Sequence, residues 1–448
     1  MMSLNRTFLL PTQLLDYLDA FRAHLRAPLY SNAYMLILNQ FAAAALGIVY
    51  WMLAARLYGA QIVGHNVALF SSVMLLVAVA ELGLRAGVTR YVPRAGARTP
   101  RLILSTYGII ALTSALAASA FFSGGRFLFP DASWASLAPI QVIGLTAATI
   151  VWSIFDLSDN VLTGMRETRW LVLKNTVFNI TKMLLLIVGV QLFHDYGIIG
   201  SWFIAAALIL VPLNVWMFRR LVPRHIATTA AHARPLMLRQ MLPSVAGDYV
   251  GTMLNEISIR ALPLVVLAQL GSSASAYFYQ AWIFSTLLQL IVAGMTNSFT
   301  VEASAQLEQI ARYSRRTLLH TARLIVPAVV VSLIVAPWVL GLFGEAYARE
   351  GTTLFRWLAF ATLPFVLTTW YLSYARVLGE VRMIIVIQGF LLVSTLGLTL
   401  VWLPLFGLAG VGLAWCISQT LAAGLVAWKT APLWLARRAS FERMDANE

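Results

Sequence analysis

Cysteine is nearly absent from this sequence of 448 residues, and charge of either sign is scarce. The one cysteine, Cys416, lies inside an apolar run, which excludes an internal disulfide and a multi-cysteine metal site. Six scattered histidines show no HxxxH or HExxH spacing, so a histidine-based metal centre is not expected. No GxxxxGK[ST] loop occurs, which excludes a pump that hydrolyses ATP on this chain. Residues 1–30 lack an apolar core long enough for a cleavable signal peptide. Charged residues make up 11% of the chain, too few for the surface of a soluble protein of this size.

Apolar residues fill the space that charge leaves. They make up 60% of the chain, and the mean hydropathy is +0.78. A helix needs about 20 such residues to cross the ~30 Å of bilayer hydrocarbon. Twelve runs meet that length, at roughly 31–54, 62–84, 102–122, 137–163, 170–191 and 197–217, then 241–268, 275–298, 322–343, 353–375, 383–404 and 408–428. With the N-terminus inside, the inner connectors and both tails carry most of the Lys and Arg. The outer connectors hold only Arg56, Arg126 and Arg349. This positive-inside bias predicts cytoplasmic termini. It also explains the net charge of +14 without nucleic acid, since anionic lipid headgroups are sufficient partners. The outer connectors are short, and the longest, about 123–136, cannot hold an active site. The inner connectors 218–240 and 299–321 read as longer and basic. Leu14, Leu15, Leu18, Phe21 and Leu25 recur at helical spacing among charges, as in an amphipathic helix on the inner membrane surface or an ordinary polar tail.

The chain divides into halves at 218–240. Ala55-Arg-Leu-Tyr-Gly59 and Ala268-Gln-Leu-Gly271 close the first and seventh spans. Gly197-Ile-Ile-Gly200 and Gly407-Leu-Ala-Gly410 open the sixth and twelfth. The expected fold is therefore an all-α integral membrane protein, with twelve transmembrane helices in two six-helix lobes related as parallel repeats. The expected organisation is a cytoplasmic tail (1–30), an N-lobe (31–217), a basic cytoplasmic linker (218–240), a C-lobe (241–428) and a cytoplasmic tail (429–448). Substrate sites in such repeats lie between the lobes, near the midplane.

Charges inside spans are the natural site candidates, because each costs about 2.5–3.5 kcal/mol at a helix centre on insertion scales. Asp248, Thr252, Glu256 and Arg260 recur every fourth residue along one face of the seventh span, over a depth of about 18 Å. Arg260 is a candidate for an anionic phosphate. Glu256 or Asp248 is a candidate for a coupling H+ or Na+; neither ion is readable from the sequence. The bland alternative is a Glu256–Arg260 ion pair. In the fifth span, Lys174, Asn179 and Lys182 form a second stripe, with Lys182 near mid-depth and suited to phosphate. Asp156 and Asp159 of the fourth span are the expected partners of Lys174, in an ion pair or an inner gate. Asn39, mid-way along the first span, and Arg56, at its outer end, are weaker cavity and gate candidates; an interfacial Arg more often snorkels. No catalytic residue and no metal site is expected.

Several motifs resemble one family. Leu342-Phe-Gly-Glu-Ala-Tyr347, Leu354-Phe-Arg-Trp-Leu-Ala359, Tyr374-Ala-Arg-Val-Leu-Gly379 and Leu405-Phe-Gly-Leu-Ala-Gly-Val-Gly-Leu-Ala414 join Ala55–Gly59 and Glu81-Leu-Gly-Leu84. Together they resemble the polysaccharide flippases, of O-antigen or teichoic-acid type, in the multidrug/oligosaccharidyl-lipid/polysaccharide (MOP) exporter superfamily. The resemblance implies a cell-membrane transporter, not an enzyme. It would flip a lipid-linked oligosaccharide on a polyprenyl-diphosphate carrier from inner to outer leaflet by alternating access, with its headgroup in a cationic cavity. Partners implied are that lipid-linked sugar, membrane lipids and polysaccharide assembly proteins; no cofactor is implied. Two alternatives stay open: a cation-coupled multidrug exporter of the same superfamily, and a membrane-embedded polysaccharide polymerase or glycosyltransferase.

Overall fold

In the computed structural model the described residues are 28–128, 137–192, 195–229 and 238–445, with side chains described for 43–124, 137–192, 195–229 and 249–431. Twelve long helices dominate them: α1 (Pro28–Leu57), α2 (Ala60–Ala80), α3 (Thr99–Leu128), α4 (Pro139–Gly164), α5 (Thr168–Leu192), α6 (Gly197–Trp216), α7 (Leu238–Leu270), α8 (Ser272–Ala305), α9 (Ile310–Gly341), α10 (Glu345–Leu378), α11 (Val381–Phe406) and α12 (Leu408–Asp445). Eleven are long and apolar enough to cross a membrane. The described part of α1 adds a shorter apolar stretch, Ala43–Leu57. Their outer faces carry exposed Leu116, Ile143, Val211, Val331 and Val393, which suit hydrocarbon rather than water. The protein is an integral membrane protein.

Helix packing repeats with a shift of six. In the first lobe α1 packs on α5, α5 on α6, α3 on α4 and α4 on α6. In the second, α7 packs on α11, α11 on α12, α9 on α10 and α10 on α12. The lobes meet chiefly through α2, which lies against both α7 and α8. Each lobe keeps its own apolar core. One gathers Phe278, Trp282, Leu354, Phe355 and Trp415 in the second lobe. Another gathers Leu84, Ile103, Leu157 and Val161 in the first, beneath the basic connectors.

The connectors differ from the sequence expectation on the basic side. The stretch 299–321 is not a long loop: α8 runs on to Ala305, and α9 begins at Ile310 after one short 3-10 turn. Both helices outrun their apolar segments, because basic residues such as Arg312 and Arg316 are good helix formers at the membrane surface. The stretch after α6 continues as a π turn (217–221) and a short helix (222–229). Leu84–Tyr91 also forms a short helix. The expected amphipathic segment around Leu14–Leu25 lies outside the described residues.

Proline is absorbed without breaking the spans. Pro337 has no N–H to give the carbonyl of Leu333, and the Nε of Arg356 on α10 donates to that oxygen at 3.0 Å. Arg356 is thus tied to its neighbouring helix.

Candidate functional site

Two adjoining cavities lie between the lobes. The first, of about 320 Å³, is walled by α4 and α5 and faced by small residues of α1 (Ala43, Ala44, Gly47) and by Ile283, Thr286 and Leu287 of α8. The second, of about 280 Å³, is lined by Glu256, Arg260 and Pro263 of α7 and Tyr279 and Gln289 of α8. Ile283 and Thr286 border both, so the two form one interlobe site.

On the α4–α5 wall the two lysines have different fates. The Lys174 ammonium meets Asp159 Oδ1 at 2.5 Å and donates to the Phe155 carbonyl at 2.8 Å and Ser158 Oγ at 3.2 Å. An ammonium has three N–H donors, and all three of these are spent inside the protein. Asn175 also donates to Asp159 Oδ2 at 3.4 Å. Lys174 and Asp159 therefore form a closed structural pair at the cavity edge.

Lys182, two turns farther along α5, has no acceptor for its N–H groups among the described residues. Its ammonium sits over the rings of Trp202 at 4.0 Å, Tyr50 at 4.9 Å and Phe178 at 5.1 Å. Only 2% of the residue is exposed, yet it lines the first cavity. Ring quadrupoles attract the cation, but they do not neutralise it as a carboxylate would. The Tyr50 hydroxyl donates instead to the Ile198 carbonyl at 3.0 Å.

On the opposite wall Arg260 Nε contacts Glu256 at 3.1 Å, one turn back on α7. That contact uses one of five guanidinium donors. Toward the basic end, Arg85 pairs with Glu81 and with Asp156 at 3.0 Å, and Glu256 lies within electrostatic reach of Glu81 and Arg85. The cavity is therefore of mixed charge rather than simply cationic. Asp156, Asp159 and Glu256 line it with Lys182 and Arg260. Lys174, buried in the α4–α5 interface and paired with Asp159, adds no free cation to it. Its positive character is local, at Lys182 and the free edge of Arg260.

The end away from the basic connectors is sealed. Tyr50, Trp51, Tyr58 and Val63 of the first lobe pack in one apolar cluster with Ala276, Phe343 and Tyr347 of the second. Arg56 ties the lobes directly, donating from Nε and a terminal nitrogen to the Leu342 carbonyl at 3.1 and 2.9 Å. Gly64 lies so close to α8 that a Cβ there would collide with the Ser272 carbonyl. Trp51 meets Tyr279 edge-on at 4.7 Å and forms the cavity's roof against this seal.

Of the residues singled out from sequence, Lys182, Asn179, Asp156, Asp159, Glu256 and Arg260 share this site. Arg56 stands apart, at the seal. The side chains of Asn39 and Asp248 lie outside the described residues. Trp152, Trp202, Tyr50 and Tyr279 of the site were not among the sequence candidates. The available signal was depth: Trp152 falls well inside its span, whereas membrane tryptophans concentrate at the ends.

Solved structures of transporters match this arrangement. An inward-facing multidrug resistance MATE family transporter of the MOP superfamily superposes with a TM-score of 0.71 at 15% identity, covering 90% of this chain and 96% of its own. An outward-facing member gives 0.66 at 16% identity, covering 92% and 96%. The lipid II flippase MurJ, in an inward closed conformation, gives 0.67 at 13% identity, covering 88% and 87%. The chain has the fold of the MOP-superfamily transporters. At these identities the likeness is one of fold alone. No family model and no curated protein sequence matches the chain.

Proposed function

We propose that this protein is a transporter that flips an anionic lipid-linked oligosaccharide, carried on a polyprenyl diphosphate, across the cell membrane for assembly of surface polysaccharide. The observation that carries the reading is Lys182, an ammonium at cavity depth with no carboxylate beside it. A phosphate in the cavity supplies the missing counter-charge and accepts charge-assisted hydrogen bonds. The free donors of Arg260 face the same space across the site. Small residues on α1 leave room between α1 and α8 for a hydrocarbon tail to remain in the bilayer while its headgroup is inside.

The basic end is the cytoplasmic one on this reading, by the distribution of Lys and Arg. The seal at the other end then makes this an inward-facing state. Export requires that seal to open and the basic end to close, which rocking of two repeat-related lobes about a shared site accomplishes. MurJ, the lipid II flippase among the structural neighbours, is a precedent for lipid-linked cargo on this fold.

A second reading is favoured by another observation. Trp51, Trp152, Trp202 and Tyr279 line the site together with Asp156 and Glu256, a lining that suits a lipophilic cation. The multidrug transporters with this fold fit that reading equally. It places the cargo's charge beside Lys182 without a counter-ion, and it is the weaker electrostatic fit.

Binding to purified protein separates the two. Wild type is expected to bind farnesyl diphosphate and Lys182→Ala to bind it at least about tenfold more weakly, the cost of a hydrogen bond to a charged group. Binding of a lipophilic cation that strengthens in Lys182→Ala, with no binding of the diphosphate, would replace this proposal with the exporter reading.

A further inference from the structure

The face of α5 that carries Lys182 continues toward the basic end as Asn179 and Asn175, at helical spacings of three and seven residues. They lie about 4.5 and 10.5 Å below Lys182 along the helix. Both line the first cavity. Each is already half-used in a way that fixes its orientation. Asn179 donates its amide to the Asn175 carbonyl at 2.7 Å, and Asn175 donates its amide to Asp159 Oδ2 at 3.4 Å. Each amide has placed one of its two N–H groups on a protein acceptor, which orients it, and each side-chain amide oxygen is left without a protein donor among the described residues. Asp156 stands across from them on α4. Arg85 reaches its Oδ2, and Oδ1 is left over. The half-buried indole of Trp152 lines the same cavity, beside Phe178 and Trp202.

We infer that this stretch of the α4–α5 wall is a carbohydrate subsite, which rests on the flippase reading. Its three oriented acceptors, the amide oxygens of Asn175 and Asn179 and Oδ1 of Asp156, receive hydroxyl hydrogens of the first sugar. Trp152 offers apolar surface to the ring C–H groups. An acceptor-rich wall is a poor place for phosphate, which brings acceptors of its own, and a good one for hydroxyls, which bring donors. Lys182 above it has the opposite character, offering donors alone. The site therefore sorts a sugar diphosphate along the membrane normal, with phosphate at Lys182 and the sugar toward the basic end. This arrangement gives the acidic lining that the site's geometry revealed a role in cargo recognition.

The test compares two probes on the detergent-purified full chain: farnesyl diphosphate, and farnesyl diphosphate bearing one hexose on its terminal phosphate. Two neutral hydrogen bonds and one to the Asp156 carboxylate predict that the hexose tightens binding to wild type about tenfold or more. That increment is expected to fall to about twofold or less in Asn179→Ala and in Asn175→Ala. Lys182→Ala is expected to weaken both probes together. Because Asn175 also holds Asp159, Asn179→Ala is the decisive variant, and the melting temperature of each variant reports its fold. If the bare diphosphate binds wild type but the hexose adds nothing, the subsite is wrong while the flippase reading stands. An increment that survives in a folded Asn179→Ala protein also overturns it. If neither probe binds and a lipophilic cation does, the flippase reading falls and takes the subsite with it.

Discussion

Two lysines eight residues apart on one helix face show how partners, not position, decide what a buried charge does. Lys174 is saturated by Asp159, Phe155 and Ser158, and removing it strands a carboxylate. Lys174→Ala is expected to destabilise the protein by about 3 kcal/mol, the low end for breaking a buried pair because Asp159 keeps some access to the cavity. Thermal unfolding in detergent measures this, and Lys174→Ala with Asp159→Ala should recover part of the loss. Lys182→Met should do the reverse: it replaces an uncompensated cation in an aromatic cage by an apolar chain of similar length. Its melting temperature is expected to equal or exceed that of wild type, while diphosphate binding is lost. A melting temperature well below wild type would mean that the cage, rather than cargo, is the reason for the lysine. Both lysines were legible in the sequence as intramembrane charges, and so was the partner of Lys174, because Asp159 is the nearest acid on the preceding span. The cage was not. Tyr50, Phe178 and Trp202 come from three helices, and nothing in local spacing brings them together.

At the scale of the helix, the spans could be read from hydropathy because lipid leaves a helix no other way to satisfy its backbone. Their ends were read less well. Hydropathy stops where charge begins, yet α8 and α9 continue as helix beyond that point. Contacts made by single backbone atoms were also beyond reach. Arg56 could be read as a weak gate candidate or a snorkelling interfacial residue, but not as a guanidinium that caps the carbonyl of Leu342 across the lobe boundary. Arg56→Ala removes two charge-assisted bonds, worth about 1.5–3 kcal/mol for a hydrogen bond to a charged group. It is expected to shift the lobes toward the state open at that end. Pulsed electron-spin distances between labels on α1 and α9 at that end would lengthen. Unchanged distances would remove Arg56 from the gate. Gly64 is a sharper case, since any Cβ there meets the Ser272 backbone. Gly64→Val is expected to prevent the sealed state, so that cysteines at that end label in wild-type-folded protein where those of the parent do not.

For the whole molecule, the two-lobed plan followed from short echoes near the ends of matching spans, and helix packing repeats with the same six-helix shift. The relation between the lobes did not follow. That α2 carries most of the interface, and that the site is sealed at one end, rest on contacts between distant helices that no local spacing encodes. The central claim is that this two-lobed site carries an anionic lipid-linked sugar past Lys182. Its most direct measurement is transbilayer movement of a fluorescent polyprenyl-diphosphate-linked sugar in proteoliposomes, with wild type and Lys182→Ala compared at equal reconstitution. The account predicts movement with wild type and a loss of at least about tenfold in the variant. Equal movement by both would contradict the role of Lys182, and no movement by folded wild type across several sugar lipids, with efflux of a lipophilic cation instead, would contradict the function.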